Sequence, residues 1–353
     1  MNTPTLSLLA FFLGTIIGSF LNCLIYRLPR NLSLSDPKRS FCPKCERSLP
    51  WFENLPIVSW LLLKGRCAGC HAPISRRYPL VEVITAFLFW LCYLQLGFPL
   101  AVAAWIFVAL LITATFIDLE HLLIPDEITL GGIVLGLGSS FFLPQLMGVD
   151  SHLVALAYSC ASAAGAYLIL WTILEVGKKV FGKKRVRFHD PQSLELLKRD
   201  AHFSLQLGEE TFPLEELFSR ASDRLVAKVA SLEIADKKYS EKTLIITPTE
   251  VHLSEHSWKL EEALPLHGMI TQITFPREAM GFGDVKFLAC IAAFLGIKGA
   301  LFSLFGGSIL GAITGCSLLL ATRGRLGRTL PFGPYLALGA LLWLLRVSWM
   351  NFL

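Results

Sequence analysis

The chain has 353 residues, of which 54% are apolar and only 17% charged, with a formal net charge of +5. A soluble domain usually carries about 25% charged residues, and here the apolar residues are bunched into blocks almost free of charge, which excludes an ordinary soluble enzyme. The positive balance reflects where Lys and Arg fall between those blocks and gives no reason to expect a nucleic-acid partner.

A helix needs about 20 apolar residues to cross a hydrocarbon core about 30 Å thick. In chain order the blocks at 6–26, 80–97, 99–117, 128–146, 153–176, 280–296, 299–321 and 331–350 are read as spans. Lys286 interrupts the sixth and Gly296 ends it early. The first block continues into the protein without a small-residue cleavage site and reads as an anchor. The expected fold is therefore an all-α polytopic membrane protein of eight transmembrane helices. Connection 27–79 holds ten Lys and Arg against three acids, and 322–330 holds three Arg and no acid. The positive-inside bias puts these two, with 118–127 and 177–279, on the cytoplasmic face and both termini outside. The expected organisation is a first helix in 1–26, a cytoplasmic loop in 27–79, helices two to five in 80–177, a cytoplasmic insert in 178–268 and helices six to eight in 269–353.

Among the nine cysteines, Cys23, Cys92, Cys160, Cys290 and Cys316 lie in apolar spans and read as small hydrophobic residues. The other four form two C-x-x-C knuckles, "CPKC" (Cys42, Cys45) and "CAGC" (Cys67, Cys70), with 21 residues between them. Each knuckle presents two sulfurs from a tight turn, and four thiolates satisfy tetrahedral Zn²⁺. Disulfides are the rival reading, but they rarely persist in the reducing cytoplasm assigned to this loop. Four protein ligands leave no open position, so the expected zinc is structural, a staple for a loop with little apolar sequence.

Between the third and fourth spans, "FIDLEHLLIPDEIT" carries four acids, Asp118, Glu120, Asp126 and Glu127. Asp126 and Glu127, after Pro125, read as the cap and first turn of the next helix. Glu120 points to another side of the helix from Asp118. His121 reads as a solvated histidine rather than a ligand or base. The insert follows the fifth span and opens with six basic residues in 178–187, suited to anionic headgroups. In it "SLELLKRD" and "LEELFSRASDRLVAKVASL" show helical spacing while "KTLIITPTEVHL" reads as strand, so a small α+β domain is expected. The sixth span opens on "MGFGDVKFLAC", where Gly281 and Gly283 precede Asp284. Glycine permits positive φ and close backbone approach. An ionisable residue at a span is a functional hypothesis by default, and a helix cap is the alternative for Asp284.

The chain has no H-E-x-x-H and no G-x-S-x-G. The small residues of "FGGSIL" (305–310) read as a close helix contact. The topology puts Asp118 and Asp284 at the same depth on the same face. Two carboxylates within hydrogen-bonding distance share a proton, so that one activates water while the other polarises a carbonyl.

"GSFLNCLIYRLPR" (18–30), the paired knuckles, "ISRRYPLVE" (74–82), "IDLEHLLIPDEIT" (117–129), "MGFGDVK" (280–286) and "PFGPYLALGA" (331–340) together resemble the type IV prepilin peptidases, in family order. The resemblance covers nearly all of the chain except about 178–268. It implies a membrane-embedded aspartic peptidase of the G-x-G-D class in the bacterial cytoplasmic (inner) membrane. Such enzymes remove the basic leader of type IV prepilins and pseudopilins, cutting after glycine. Most then N-methylate the new terminus, commonly Phe, with S-adenosylmethionine. Carried over by motif, the catalytic acids are Asp118 and Asp284, and the metal-binding cysteines are Cys42, Cys45, Cys67 and Cys70. Arg27 and Arg30 are expected at the headgroups. Asn22 either bonds a neighbouring helix or lines the active-site cleft. Glu82 either contacts the amine or cofactor, or pairs with Arg76 or Arg77. No Rossmann-type turn is present for S-adenosylmethionine, so loop 27–79 is the expected platform. Two other readings stay open: a G-x-G-D peptidase without methyl transfer, and a transporter or channel with membrane carboxylates. Which pilin or pseudopilin is processed, and the oligomeric state, are not encoded in any of these motifs.

Overall fold

The computed structural model describes residues 4–36, 39–181, 183–199, 202–208, 210–218, 224–234, 237–254, 256–276, 281–321 and 330–346. The helices in chain order are α1 (Pro4–Arg27), α2 (Val58–Leu62), α3 (Arg77–Leu96), α4 (Leu100–His121), α5 (Asp126–Phe142), α6 (His152–Phe181), α7 (Leu214–Leu217), α8 (Phe282–Ala321) and α9 (Gly333–Leu345). Among the described residues five helices, α1, α3, α4, α6 and α8, are long and apolar enough to cross a membrane, which makes the chain a multi-pass membrane protein. α5 has 17 residues and α9 has 13. α8 is broken at Gly296, whose φ of 69° and ψ of 176° are not helical, so it is two helices joined end to end. The break falls where the sixth expected span ends. The expected connection at 322–330 lies, up to residue 329, outside the described residues.

Lipid gives helices no hydrophobic reason to associate, so close van der Waals packing at small residues holds them together. Gly14 and Gly18, one turn apart, do this for α1. A Cβ on Gly14 would lie 2.5 Å from Ala86 Cα, and one on Gly18 would lie 2.7 Å from Glu82 Cα. The backbones of α1 and α3 therefore touch, and Glu82 is fixed at the crossing. α8 and α9 meet in the same way, with Gly307 against the Tyr335 backbone and Gly339 against the Ser303 backbone. The Ser303 hydroxyl adds a hydrogen bond to the Leu336 carbonyl at 2.5 Å. The close contact expected at "FGGSIL" is thus made by Gly307.

Residues 173–279 cluster as a second compact unit. It contains β1 (Lys183–Arg199), β2 (His202–Leu207), β3 (Glu210–Pro213), β4 (Leu225–Ile234), β5 (Lys237–Ile246), β6 (Glu250–Leu253), β7 (His256–Lys259) and β8 (Leu266–Pro276). These form one antiparallel sheet in the order β3-β2-β1-β8-β4-β5-β6-β7. Leu194, Leu196, Leu205, Leu225, Ile234 and Leu244 are among its buried residues. The α+β expectation is corrected: among the described residues of the sheet unit, the one-turn α7 is the only helix inside the sheet. Of "SLELLKRD", residues 193–199 lie in β1 and Asp200 lies outside the described residues, while 225–234 is β4. The misreading has a cause. β4 buries Leu225, Ala227 and Val229 in alternation, and irregularities on either side of Val229 shift the phase to Leu232 and Ile234. Leu225, Val229 and Leu232 then fall at i, i+4 and i+7, which imitates a helix face.

β1 and β8, the first and last strands, are neighbours in the middle of the sheet, and Lys183 stands opposite Pro276. The chain therefore enters and leaves this unit side by side, about 5 Å apart between paired strands.

Candidate functional site

Asp118 lies in the last turn of α4 and is buried. Leu122 closes that helix in the left-handed conformation, its N–H bonding the Asp118 carbonyl at 2.9 Å. The following turn carries Ile124 across the first turn of α8. A Cβ on Gly283 would come within 3.3 Å of the Ile124 Cβ and carbonyl oxygen. The same isoleucine abuts the start of α9, because a Cβ on Gly333 would lie 3.0 Å from Ile124 Cδ1. Three chain segments thus meet here, and each is able to approach because a glycine or a short turn stands at the contact.

Asp284, in the first turn of α8, is also buried. The residue before it, Gly283, packs on Ile124, and Gly333 packs on both Ile124 and the Asp118 carboxylate, so both acids stand around the same isoleucine. Oδ2 of Asp118 accepts the Gly333 N–H at 2.9 Å. Lys286 is not a loose charge within the span: its Nζ bridges both oxygens of Asp126, at 2.6 and 2.8 Å. This ties the start of α5 to the start of α8. The cap expected at Asp126 is corrected accordingly, since Pro125 holds the N-cap position and Asp126 is spent on Lys286. Neither Gly281 nor Gly283 needs a positive φ; Gly283 serves close approach, while Gly281 would offer its Cβ only the Asp284 carboxylate at 3.6 Å.

The two knuckles have the same local structure. Cys42 N–H bonds Arg47 O and Glu46 N–H bonds Cys42 O; Cys67 N–H bonds Ala72 O and His71 N–H bonds Cys67 O. Glu46 and His71, each just after the second cysteine, take matching positive φ values of 56°. The four sulfurs lie within 4.8 Å of one another, and the sulfurs of Cys42 and Cys70 are 3.8 Å apart. Tetrahedral Zn–S bonds of about 2.3 Å require S···S edges of about 3.8 Å, so the cluster fits a zinc ion. Hydrogen bonds from the Cys70 and Gly69 N–H groups draw the Cys67 thiol down to about 6. Against a backbone hydrogen bond from Ala72, burial and the neighbouring cysteine sulfurs push the Cys70 thiol up to about 11.

A cavity of about 430 Å³ separates this lobe from the ends of α1 and α3. Asn22 and Glu82 both line it. Asn22 does bond a neighbouring helix, Nδ2 donating to the Tyr78 carbonyl at 3.0 Å, but its buried Oδ1 has no partner. Glu82 does not pair with Arg77. Its Oε2 accepts the Ile57 N–H at 2.7 Å, and Arg77 bonds Glu120 at 2.6 Å. Glu120 also lines the cavity. Two residues along a helix turn about 200°, so Glu120 and Asp118 serve opposite sides of α4. His121 ends that helix, its Nε2 3.5 Å from Arg30 Nη1. Arg27 corrects its headgroup assignment: it is buried and donates to the carbonyls of Ser33, Leu34 and Arg39, fastening the lobe to α1.

Sequence reasoning passed over four participants. Gly333 stands 215 residues from the acid it bonds. Ile57 contributes only a backbone group. Gly14 and Gly18 form a G-x-x-x-G that was available as a signal.

Residues 12–96 match the family model described as the bacterial peptidase A24 N-terminal domain, and residues 105–186 with 245–316 match that of the type IV leader peptidase family. The second match is interrupted inside the sheet unit. A prepilin leader peptidase/N-methyltransferase of Myxococcus xanthus (strain DK1622) is 39% identical over 195 residues, covering 55% of this chain and 56% of that protein. One of Aeromonas hydrophila is 28% identical over 370 residues, covering 95% of this chain and 90% of that protein. One of Pectobacterium carotovorum subsp. carotovorum is 35% identical over 201 residues, covering 50% and 68%. No solved structure matches.

Proposed function

The chain belongs to the type IV leader peptidase family, and on that premise we propose that it cleaves prepilins or pseudopilins after glycine at the cytoplasmic face of the inner membrane and N-methylates the new terminus. What supports this reading is the burial of two carboxylates, Asp118 and Asp284, at the ends of separate helices that meet around Ile124. In this reading one carboxylate takes a proton from water as the oxygen attacks the scissile carbonyl. Its protonated partner donates to that carbonyl oxygen. Collapse breaks the C–N bond, and the departing amine leaves with a proton from the dyad. No metal enters these steps.

The eight-span topology belongs to this proposal, with α5, both halves of α8 and α9 adding to the longer helices. It puts the scissile bond, between a basic leader and an apolar helix, at the depth of the two acids. Cys42, Cys45, Cys67 and Cys70 would hold a structural zinc that keeps the lobe folded and the Ile57 N–H against Glu82. The cavity behind that lobe is read as the methyl-transfer chamber. S-adenosylmethionine supplies an electrophilic methyl group when bound. Glu82 and the unpartnered Asn22 Oδ1 would receive the N–H groups of the pilin amine or the cofactor. This reading puts cleavage and methylation on opposite sides of α4, which makes them separable by mutation.

The test is purified protein in lipid nanodiscs with a prepilin and methyl-labelled S-adenosylmethionine. Release of the leader and one methyl group on the new N-terminus is expected. Leader release without label would support the peptidase-only alternative, and neither event would refute the reading.

A further inference from the structure

Resting on the dyad reading above, we infer that Gly333 is a positioning residue for cleavage, its backbone N–H setting the orientation of the Asp118 carboxylate. The amide donates to Oδ2 at 2.9 Å from the first residue of α9. Only glycine permits this approach, because a Cβ would stand 2.7 Å from that same Oδ2 and 3.3 Å from the carboxyl carbon. The segment "PFGP" (331–334) is built to present the group. A first-turn N–H has no partner within its own helix, and Pro334, at the next position, offers no competing donor and fixes its own φ. The Gly333 backbone is buried, so water does not replace the bond. With Oδ2 held in this way, Oδ1 is the oxygen left to face the reacting water or the shared proton. α9 contributes no acid to the site; its part is to aim one.

The direct test removes the N–H and nothing else, by cell-free synthesis of the chain with glycolic acid at position 333, so that an ester replaces the amide. Cleavage kcat should fall about ten-fold, the scale of one lost hydrogen bond to a charged group, with KM for the prepilin unchanged. A hydroxyethylene analogue of the scissile Gly–Phe bond should weaken by the same factor, as befits an interaction made in the transition state. Methyl transfer to pre-cleaved pilin should be unaltered. Wild-type cleavage by the ester chain overturns the inference, and so does an equal loss of cleavage and methyl transfer, which would mark Gly333 as packing alone. If the ester chain fails to insert, G333A takes its place: full cleavage overturns the inference, and a loss confined to kcat supports it. D118N separates the two levels. Should it still cleave, the dyad reading fails; should it be inert while the ester chain is unimpaired, only the role of Gly333 fails.

Discussion

Gly18→Ala introduces a methyl group at the crossing of α1 and α3, 2.7 Å from Glu82 Cα and 3.2 Å from the Thr85 side chain. Carbon atoms rest at about 3.5–4.0 Å, and a backbone atom cannot rotate away, so the helices must part by about 1 Å. Such overpacking costs about 1–3 kcal/mol. The same displacement stretches the 2.7 Å bond from Ile57 N–H to Glu82 to about 3.7 Å, past the limit for a hydrogen bond. A lost hydrogen bond to a charged group is worth about 1.5–3 kcal/mol, which is a ten- to hundred-fold effect, roughly. Methyl transfer to pre-cleaved pilin should therefore fall about ten- to a hundred-fold. Prepilin cleavage should change by less than about three-fold, because α4, α8 and α9 carry the dyad and its contacts and the added methyl touches none of them. Both rates are read in one nanodisc preparation with labelled S-adenosylmethionine. Unchanged methylation, or parallel loss of both activities, would refute the assignment of the α1–α3 cavity to methyl transfer.

Elemental analysis should find one zinc per chain, and Cys67→Ser should lose it and methyl transfer together while leaving the helices inserted. Lys286→Met removes an ion pair whose acidic side chain is 57% exposed; at about 1 kcal/mol or less for such a pair, cleavage should fall by under about ten-fold, with no further loss on adding Asp126→Asn. Replacing residues 184–275 by a short Gly-Ser turn should leave cleavage and methylation within a few-fold of the intact protein, because Lys183 and Pro276 already stand opposite each other. Loss of insertion or of both activities would show that the sheet unit has an essential part.

The features legible in the sequence are those written as local pattern. Two C-x-x-C pairs give a four-sulfur cluster because each knuckle is closed within six residues, Cys42 to Arg47 and Cys67 to Ala72. The apolar blocks give the helices, and Gly296 marks the break in α8. Asp118 and Asp284 stand out as the proposed pair because the topology puts both at the same depth on one face and an ionisable residue at a span is costly. What escaped depends on the third dimension. Arg27 looked like a headgroup arginine, yet carbonyls of the following loop surround its guanidinium. β4 looked helical because its irregularities displace the two-residue period. Lys286 seemed an interruption until Asp126 stood beside it. The donor to Asp118 and one of the donors to Glu82 are backbone amides, of Gly333 and Ile57, and an amide has no letter of its own.

The central claim is that Asp118 and Asp284 act as one catalytic pair. Each isosteric variant, Asp118→Asn and Asp284→Asn, should be reconstituted in lipid and given both intact prepilin and pre-cleaved pilin. The account predicts no leader release from either variant, with methyl transfer to the pre-cleaved pilin preserved. Leader release at the wild-type rate by either one would contradict it.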